Sequence, residues 1–348
     1  MMSDFAAGFV PGRELSRAFY HQVVAPLAGA VPHGAALIGP GSEVLAFDTE
    51  RSTDHDWGPR VLIFTDPAAA RPLADRIAAH LPDRFGGYPT AFGSDRHPLH
   101  HGVQVTDLAS FARAHLGFDP RGQITTADWL GASWQRLAEF TSGEVFHDGL
   151  GELAPARAAL RWYPVPLWRY VLACQWRRIG QVEAFPGRCG EVGDDLGSRL
   201  VTARIAEDVM KLCLLMRRRY PPYTKWLGSA FARLPGSAEI GEALAGALGG
   251  RTWRDRERHL CRAYERLAAL HNRLALTEPL DPAVRPFHDR PFQVIGADRF
   301  ADALLAAAGP VPGARSPAGS VDQVSDAVEV LTDATRSRAV TRALHPAR

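Results

Sequence analysis

Two aspartates separated by one residue are the side chains whose types and spacing point most directly to chemistry. Asp54 and Asp56 flank His55 and precede an apolar run, Val61–Phe64. Side chains alternate between the faces of a strand, so if both aspartates begin that strand, their carboxylates point to one face. Neighbouring carboxylates repel each other unless a cation lies between them. The spacing therefore predicts a site for Mg²⁺, which prefers oxygen ligands from carboxylates, water and phosphates.

A glycine–serine pair upstream could supply the other half of such a site. Eleven residues separate Ser42 from Asp54. A phosphate could approach the peptide of Gly41 closely, because glycine has no Cβ. Ser42 offers a hydroxyl and an amide at an expected helix start, and helix N-termini attract phosphate. A D-x-D sequence alone is common in polar loops, but its combination with this turn and two apolar strands favours a site for a nucleoside triphosphate and a metal ion.

Other chemical motifs are absent or incomplete in the sequence. No G-K-[ST] sequence is present, which excludes a Walker A loop, and no G-x-S-x-G sequence supports a serine nucleophile. Gly39-Pro40-Gly41 resembles the start of a dinucleotide fingerprint, but Val44 occupies the position of the third glycine. Histidines at positions 97, 100 and 101 lack Cys or acidic partners at ligand spacing, so we do not expect zinc there.

The elements that would position these residues follow from the hydrophobic pattern. Leu15, Phe19, Val23 and Leu27 recur every four residues and predict an amphipathic helix, and further helices are predicted over residues 67–81 and 107–116. Short apolar or alternating runs predict strands at residues 35–38, 61–64, 103–106 and 143–147. We therefore expect a small α/β domain over residues 1–150.

The rest of the chain is predicted to be mostly helical. Patterns of helical period predict long helices over residues 167–185, 196–219 and 253–276, then a short strand at 291–295 and a helix at 297–308. Residues 309–320 are rich in Pro, Gly and Ser. These features predict a helical domain over residues 151–308, followed by a flexible connection and a C-terminal helix over residues 309–348. The fold class expected is α+β.

Composition restricts the class of protein and its partners. The 348 residues carry 40 Lys and Arg against 38 Asp and Glu, a net charge of +2, so the chain is not expected to coat DNA. Four scattered cysteines form no C-x-x-C pair, which favours a reduced, cytoplasmic setting. We expect no signal peptide and no membrane span, because no basic start followed by an apolar run and no long apolar stretch is present. A homodimer stays possible.

The spacing of Gly41-Ser42 and Asp54-x-Asp56 resembles the nucleotidyltransferase superfamily that includes the aminoglycoside nucleotidyltransferases. The motif of that superfamily is a Gly-Ser turn followed by D-x-[DE]. The resemblance implies a small mixed-sheet domain of the DNA polymerase β-like type, followed by helices on the substrate side. It implies Mg²⁺-dependent transfer of a nucleoside monophosphate, here AMP, from a triphosphate to a hydroxyl of a small polar metabolite or a protein.

The resemblance extends along most of the chain. Further segments resemble a bacterial group that carries this core and is described as a domain of unknown function, DUF4037. They are GSEVLAFDTERSTDHDWGPR from Gly41, VFHDGLGEL from Val145, RYPPYTKW from Arg219 and GSVDQ from Gly319. Asp148, within VFHDGLGEL, is expected to orient a turn rather than to do chemistry.

The resemblance assigns roles to particular residues. Asp54 and Asp56 would bind the metal and be catalytic, and Gly41 and Ser42 would bind the nucleotide. Gln104 falls where the superfamily has a third carboxylate, and glutamine carries no charge. One metal site is therefore expected, and a second lacks a ligand. The alternative is a degenerate member that binds nucleotide as a sensor or partner module without turnover.

The helical part would supply the remaining groups of this reaction. Glu183 is the candidate general base and also reads as an ordinary surface glutamate. Asp194 and Asp195 are alternatives that are better explained as caps of the following helix. Lys225 is the candidate for neutralising phosphate. Tyr223 and Trp226 could stack on a base, although packing is the commoner role of such residues, and Arg188 and Arg199 are weaker cationic candidates.

Overall fold

The computed structural model describes residues 8–94, 97–314 and 317–346. It is a mixed α+β structure, 55% helical, with a small mixed sheet and a helical C-terminal part. This agrees with the fold class expected from the sequence at that level of detail. None of the helices in the described ranges is both long enough and apolar enough to cross a membrane.

The secondary structure of the described residues consists of short strands, most of them in the first half of the chain, and helices throughout. The strands are β1 (Gly34–Leu37), β2 (Val61–Phe64), β3 (Arg84–Phe85), β4 (Tyr88–Pro89), β5 (Ala91–Ser94), β6 (His97–His101), β7 (Val103–Thr106), β8 (Glu144–Asp148), β9 (Arg285–Pro286) and β10 (Gln293–Val294). The helices are α1 (Gly12–Phe19), α2 (Ala25–Ala28), α3 (Pro67–His80), α4 (Leu108–Leu116), α5 (Thr126–Gly131), α6 (Trp134–Thr141), α7 (Leu153–Ala159), α8 (Val165–Gly180), α9 (Phe185–Glu191), α10 (Asp195–Met216), α11 (Thr224–Ala232), α12 (Ala238–Gly249), α13 (Trp253–Arg273), α14 (Asp298–Ala308), α15 (Val321–Val324), α16 (Val328–Leu331) and α17 (Ala334–Leu344).

Contacts along the chain divide it into two compact units. The first unit comprises the chain up to Asp128, Arg136–Arg161 and Thr332–Thr335. The second unit comprises Trp129–Gln135, Trp162–Leu331 and the chain from Arg336 onward. The predicted limits of 1–150, 151–308 and 309–348 follow the order of elements along the chain, whereas these units follow contacts in space. The domain limits themselves stay a prediction.

A four-stranded mixed sheet forms the centre of the first unit. Its strand order is β7-β2-β1-β8, in which β1 runs antiparallel to β2 and β8, and β2 runs parallel to β7. In this register Gln104 lies opposite Leu62. All four strands predicted from the apolar runs are confirmed, because each run is bounded by turn-forming residues or a helix cap.

The N-terminal helical segment packs apolar side chains against this sheet. The predicted helix around Leu15 and Phe19 is confirmed, with a π-helical turn at Tyr20–Val24 between α1 and α2. Phe19 and Val24 pack with Ile63 of β2 in one buried cluster. These contacts remove apolar surface from water and hold β1 and β2 in place.

Long helices build the second unit, and one of them is shorter than predicted. The helix expected over residues 167–185 ends at Gly180, and a separate helix, α9, begins at Phe185. Pro186 in the first turn of α9 has no N–H to bond back to residue 182, so it begins a helix and cannot continue one.

The GSVDQ segment is held inside the second unit by a buried polar network. The side-chain amide of Gln323 donates to Gln175 Oε1 at 3.0 Å and to the carbonyl oxygen of Val171 at 3.0 Å. Gln175 in turn donates to Asp208 Oδ1 at 2.9 Å. This late motif therefore has a structural role, which is to fasten α15 to α8 and α10.

Candidate functional site

The two aspartates lie apart from the strand that the sequence predicts they begin. Residues Glu50–Asp54 form a 3₁₀ helix, Asp56 has φ +47°, and β2 begins only at Val61. The strand alternation therefore does not apply, and the prediction that it places both carboxylates on one face is wrong. Pro59 contributes to this outcome, because it has no N–H to pair with a neighbouring strand.

Asp56 nevertheless has a carboxylate oxygen that is open to a cation. The side chain of Asp54 is exposed, whereas Asp56 is half-buried, and the backbone N–H of Asp56 donates to the carbonyl oxygen of Gly93 at 3.2 Å. Asp56 Oδ1 is buried and has no hydrogen-bond partner within the described residues. A buried carboxylate oxygen without a donor is costly, and a bound cation would offset that cost. This atom has the chemistry of a cation ligand, and binding of Mg²⁺ by Asp54 and Asp56 together stays a prediction.

The turn at Gly41 and Ser42 differs from the predicted phosphate cradle. Ser42 does not begin a helix, so that prediction is wrong: residues 42–47 form a turn, closed by a hydrogen bond from Phe47 N to Ser42 O at 2.8 Å. Gly41 has φ +147°, and the space that its Cβ would take is filled by the side chains of Arg60 and Glu43. Glycine is needed here to make room for those side chains. Because no helix begins at Ser42, phosphate binding at this turn cannot be argued from a helix N-terminus.

An ion pair that no sequence pattern predicts supports this turn. An Nη2 atom of Arg60 contacts both Glu43 Oε1 and the carbonyl oxygen of Pro40. Glu43 is only 1% exposed, and Arg60 is the cation paired with its buried carboxylate. The only sequence signal is a glutamate at the edge of the apolar run from Val44 to Phe47.

A second missed carboxylate, Asp48, anchors the loop that carries Asp54 and Asp56. Asp48 Oδ2 accepts a hydrogen bond from the backbone N–H of Gly12 at 2.7 Å and from Trp57 Nε1 at 3.4 Å. Trp57 itself is buried against Leu15. The loop is therefore held at Asp48, before the two aspartates, and at Trp57, after them, which restricts where the aspartates can lie.

A small cavity lies beside this turn in the first unit. Its volume is about 120 Å³, and Pro40, Arg60, His101, Gln104 and Phe111 contribute to its lining. Small-molecule sites are usually about 300–1,000 Å³, so this cavity is too small for a whole nucleotide and has room only for a group the size of a phosphate. Gln104 is exposed at the rim, on the strand predicted to carry the third carboxylate. His101 Nδ1 is buried and has no hydrogen-bond partner in the part of the chain that the structure describes.

Glu183 lies in the second unit and is largely buried, at 8% exposure. Its carboxylate accepts hydrogen bonds from the backbone N–H groups of Ile295 at 3.0 Å, Gly296 at 3.1 Å and Ala297 at 3.2 Å. Burial raises the pKa of Glu183 to about 7, and these N–H groups oppose the shift. The reading as an ordinary surface glutamate is wrong. The carboxylate holds the chain at the start of α14, and its role as a general base stays a prediction.

Lys225 also lies in the second unit, in the first turn of α11. Its side chain is exposed, and Nζ lies 5.8 Å from the ring centroid of Trp226. The rings of Tyr223 and Trp226 meet edge to face, with centroids 4.6 Å apart. Trp226 is therefore already in contact with Tyr223 and Lys225, which leaves less of its ring for stacking on a base. The contact of Lys225 with phosphate stays a prediction.

The remaining candidates have structural partners. Asp194 Oδ1 accepts from the backbone N–H of Gly197 at 2.7 Å, which confirms it as the cap of α10. Asp195 pairs with Arg199 at 2.7 Å and with the buried Arg256. The guanidinium of Arg188 lies over the ring of Phe185. Contacts within the protein therefore explain the positions of these four side chains, and no bound ligand is needed to explain them.

The structure thus places Gly41, Ser42, Asp54, Asp56 and Gln104 in the first unit, and Glu183 and Lys225 in the second. The cavity lining in the described residues includes Gln104 but neither aspartate. Across residues 8–94, 97–314 and 317–346, no three His, Cys, Asp or Glu side chains are grouped closely enough to hold a metal ion. Any metal bound here would therefore take its other ligands from water and from the phosphates.

Comparison with known proteins gives one match. A family model described as a domain of unknown function, DUF4037, matches residues 129–227. The matched segment contains Glu183 and Lys225 and ends before the GSVDQ segment. Gly41, Ser42, Asp54, Asp56 and Gln104 lie outside it. No curated protein and no solved structure matches the chain. The chain is therefore similar to the DUF4037 family over this segment.

Proposed function

We propose that the first unit binds a nucleoside triphosphate with Mg²⁺ and transfers its nucleoside monophosphate, AMP, to a hydroxyl group. The acceptor would be a small polar metabolite or a protein side chain. The observation that carries this proposal is Asp56 Oδ1, a buried carboxylate oxygen without a donor, two residues from the exposed Asp54. A divalent cation with phosphate oxygens would satisfy this atom.

The reaction would be an in-line displacement at the α-phosphorus. A bond forms between the acceptor oxygen and phosphorus, the bond to the bridging oxygen of pyrophosphate breaks, and the hydroxyl proton passes to a base. Mg²⁺, when bound, would neutralise charge that develops on the phosphates. Asp54 and Asp56 would hold it, and the backbone of Gly41 and Ser42 would position the nucleotide.

Two groups of the second unit are proposed to assist this reaction. Glu183 would take the proton of the acceptor hydroxyl, for which a pKa of about 7 is well suited. Lys225, which is exposed, would neutralise charge on the phosphates. The proposal for Glu183 is tested by measuring transfer together with stability, because changes to Glu183 also remove the hydrogen bonds to the start of α14.

A second candidate function follows from Gln104. This exposed side chain lines the cavity at the position expected to bear a third carboxylate. Without that charge, a second metal ion has one ligand fewer. In this alternative the first unit binds nucleotide as a sensor or partner module and does not turn it over.

Calorimetric titration with ATP tests both functions at once. Mg²⁺-dependent binding is expected for the wild-type chain, with a large loss in the Asp54→Asn/Asp56→Asn double variant. Asp75→Asn is the matched control, because it removes an exposed carboxylate from a helix of the same unit. If the wild-type chain binds no nucleotide with Mg²⁺, or the double variant binds it equally well, both functions are wrong.

Pyrophosphate release separates the enzyme from the sensor. The enzyme should release pyrophosphate from labelled ATP in a mixture of polar metabolites and proteins, and it should leave a labelled product. The sensor should bind ATP and release none. In that case the Gln104→Glu variant tests the cause, because a restored carboxylate should produce measurable release if its loss is the reason.

A further inference from the structure

Two adjoining cavities of the second unit form a site that the proposed transfer reaction does not use. The smaller cavity, of about 90 Å³, lies among the end of α10, the chain after α11, and helices α12 and α13. The larger, of about 820 Å³, follows α12 and α13. Glu239 and Arg266 line both, so the two cavities adjoin each other.

Three arginines converge on the smaller cavity. Arg217 caps the end of α10, while Arg266 and Arg273 lie seven residues apart on α13, about two turns along one face. The ionisable groups of the lining are these arginines, Glu239 and the buried thiol of Cys213, whose pKa burial raises to about 12. Three positive charges and one negative charge therefore leave an excess of two positive charges.

Existing contacts leave much of this charge available. Arg266 Nε meets Glu239 Oε2 at 2.9 Å, but both side chains are more than half exposed, so the pair is weak. Arg217 Nη2 donates to the carbonyl oxygen of Pro235 at 3.2 Å. Neither Arg217 nor Arg273 has an ion pair with any residue that the structure describes.

Helix ends alone do not explain this arrangement. Arginine near a helix C-terminus is favoured by the helix dipole, which would account for Arg217 and Arg273. It does not account for Arg266, which lies two turns before the end of α13, or for the concave shape of the site. The buried side chains of Phe231 and Ile240 also line the cavity, beside the arginines.

We propose that this site binds a phosphorylated small molecule, with its phosphate monoester among Arg217, Arg266 and Arg273. The guanidinium fork matches phosphate oxygens in pairs, and a dianion balances the excess charge. The small cavity has a volume of about 90 Å³. A single water needs only about 10–15 Å³ of such space, so the cavity has room for a phosphate. The organic part lies in the larger groove, whose lining of Glu242, His259 and Glu265 suits a polyhydroxylated group.

The test is titration of the full chain with glucose 6-phosphate, inorganic phosphate and glucose. Glucose 6-phosphate is expected to bind most tightly, inorganic phosphate more weakly, and glucose not measurably. The Arg217→Gln/Arg273→Gln double variant should weaken glucose 6-phosphate binding by about tenfold or more, because two charge-assisted contacts are lost. Arg251→Gln, an exposed arginine outside the cavity lining, is the matched control and should bind as the wild type does.

Three outcomes would overturn the proposal. They are no binding of either phosphate compound, equal binding by the double variant, and equal binding of glucose and glucose 6-phosphate. Because both arginines are exposed, the double variant should stay folded, and its circular dichroism and melting temperature check this. The result is independent of ATP binding by the first unit, since every residue of the site belongs to the second unit.

Discussion

The guanidinium of Arg60 meets the carboxylate of Glu43 in the space that a side chain on Gly41 would occupy. Arg60 lies at the entrance to β2, and Glu43 lies in the turn that follows β1. The pair therefore joins the two loops that carry the candidate site. It also explains why the sequence requires glycine at position 41 for packing, whether or not a phosphate binds beside it.

Removing Arg60 alone should strongly destabilise the first unit. In Arg60→Met the carboxylate of Glu43, which is 1% exposed, loses its cation, and we expect a loss of about 3 kcal/mol or more in the free energy of unfolding. The Glu43→Leu/Arg60→Met double variant should recover most of that loss, because an apolar pair of similar volume needs no charge balance. Urea unfolding measures both. A double variant as unstable as the single one would show that the pair's charges are not the cause.

Substituting Gly41 should be more costly than substituting a glycine with free space around it. Gly41→Ala forces a residue with a side chain to φ +147° and displaces Arg60 and Glu43, so we expect a loss of about 3 kcal/mol. Gly29→Ala is the control, because Gly29 also has positive φ, +57°, but nothing lies within 4 Å of its added Cβ. That variant should lose only the cost of the strained backbone, about 1–2 kcal/mol. Equal losses would mean that backbone strain alone makes glycine necessary.

The strands of the central sheet could be predicted because their signal is local. The apolar run Val61–Phe64 contains its own evidence of burial, and the observed strand has the same bounds. The β5–β6 hairpin could not be predicted in this way. It pairs Ala91 with His101 and Phe92 with His100, and such mixed polar pairs leave no alternating pattern in the sequence.

The geometry around the candidate site residues could not be predicted from the sequence. The sequence identifies Asp54 and Asp56 as the acidic pair, yet the strand expected to carry them begins only at Val61. Arg60 and Glu43 are seventeen residues apart in the sequence, and no spacing rule for loops relates them. Contacts of this kind depend on how two loops meet after the sheet has formed, which a one-dimensional pattern does not contain.

Asp148 should prove to have a structural role, as the sequence indicates. Its carboxylate accepts from the backbone N–H groups of Glu152, Leu153 and Ala154, the last at 2.9 Å, and so fixes the start of α7. Asp148→Ala should lower the free energy of unfolding by about 1–2 kcal/mol, and Asp148→Asn by less, because asparagine keeps one acceptor. Denaturant melts of the two variants, with nucleotide titration alongside, test this. A normal melt with lost nucleotide binding would instead give Asp148 a role in the site.

Ionisation of Glu183 should make the second unit less stable as pH rises. Its folded pKa of about 7 lies above the ordinary glutamate value of 4.5, so the folded state retains a proton that the unfolded state releases. The stability that comes with this proton is complete below about pH 4.5 and is lost as pH rises through about 7, at up to about 1.4 kcal/mol per pH unit.

The Glu183→Gln variant isolates this ionisation, because glutamine stays neutral at every pH. Its baseline stability will differ, since its amide group places an N–H where the N–H of Ala297 now donates. The informative quantity is the difference between variant and wild type, which should shift in favour of the variant from about pH 5 to pH 7 and become constant above about pH 8. Glu191→Gln, at an exposed glutamate, should run parallel to the wild type throughout. If Glu183→Gln also runs parallel, the pKa of Glu183 is not raised by burial, and its suitability as a general base near neutral pH loses its physical basis.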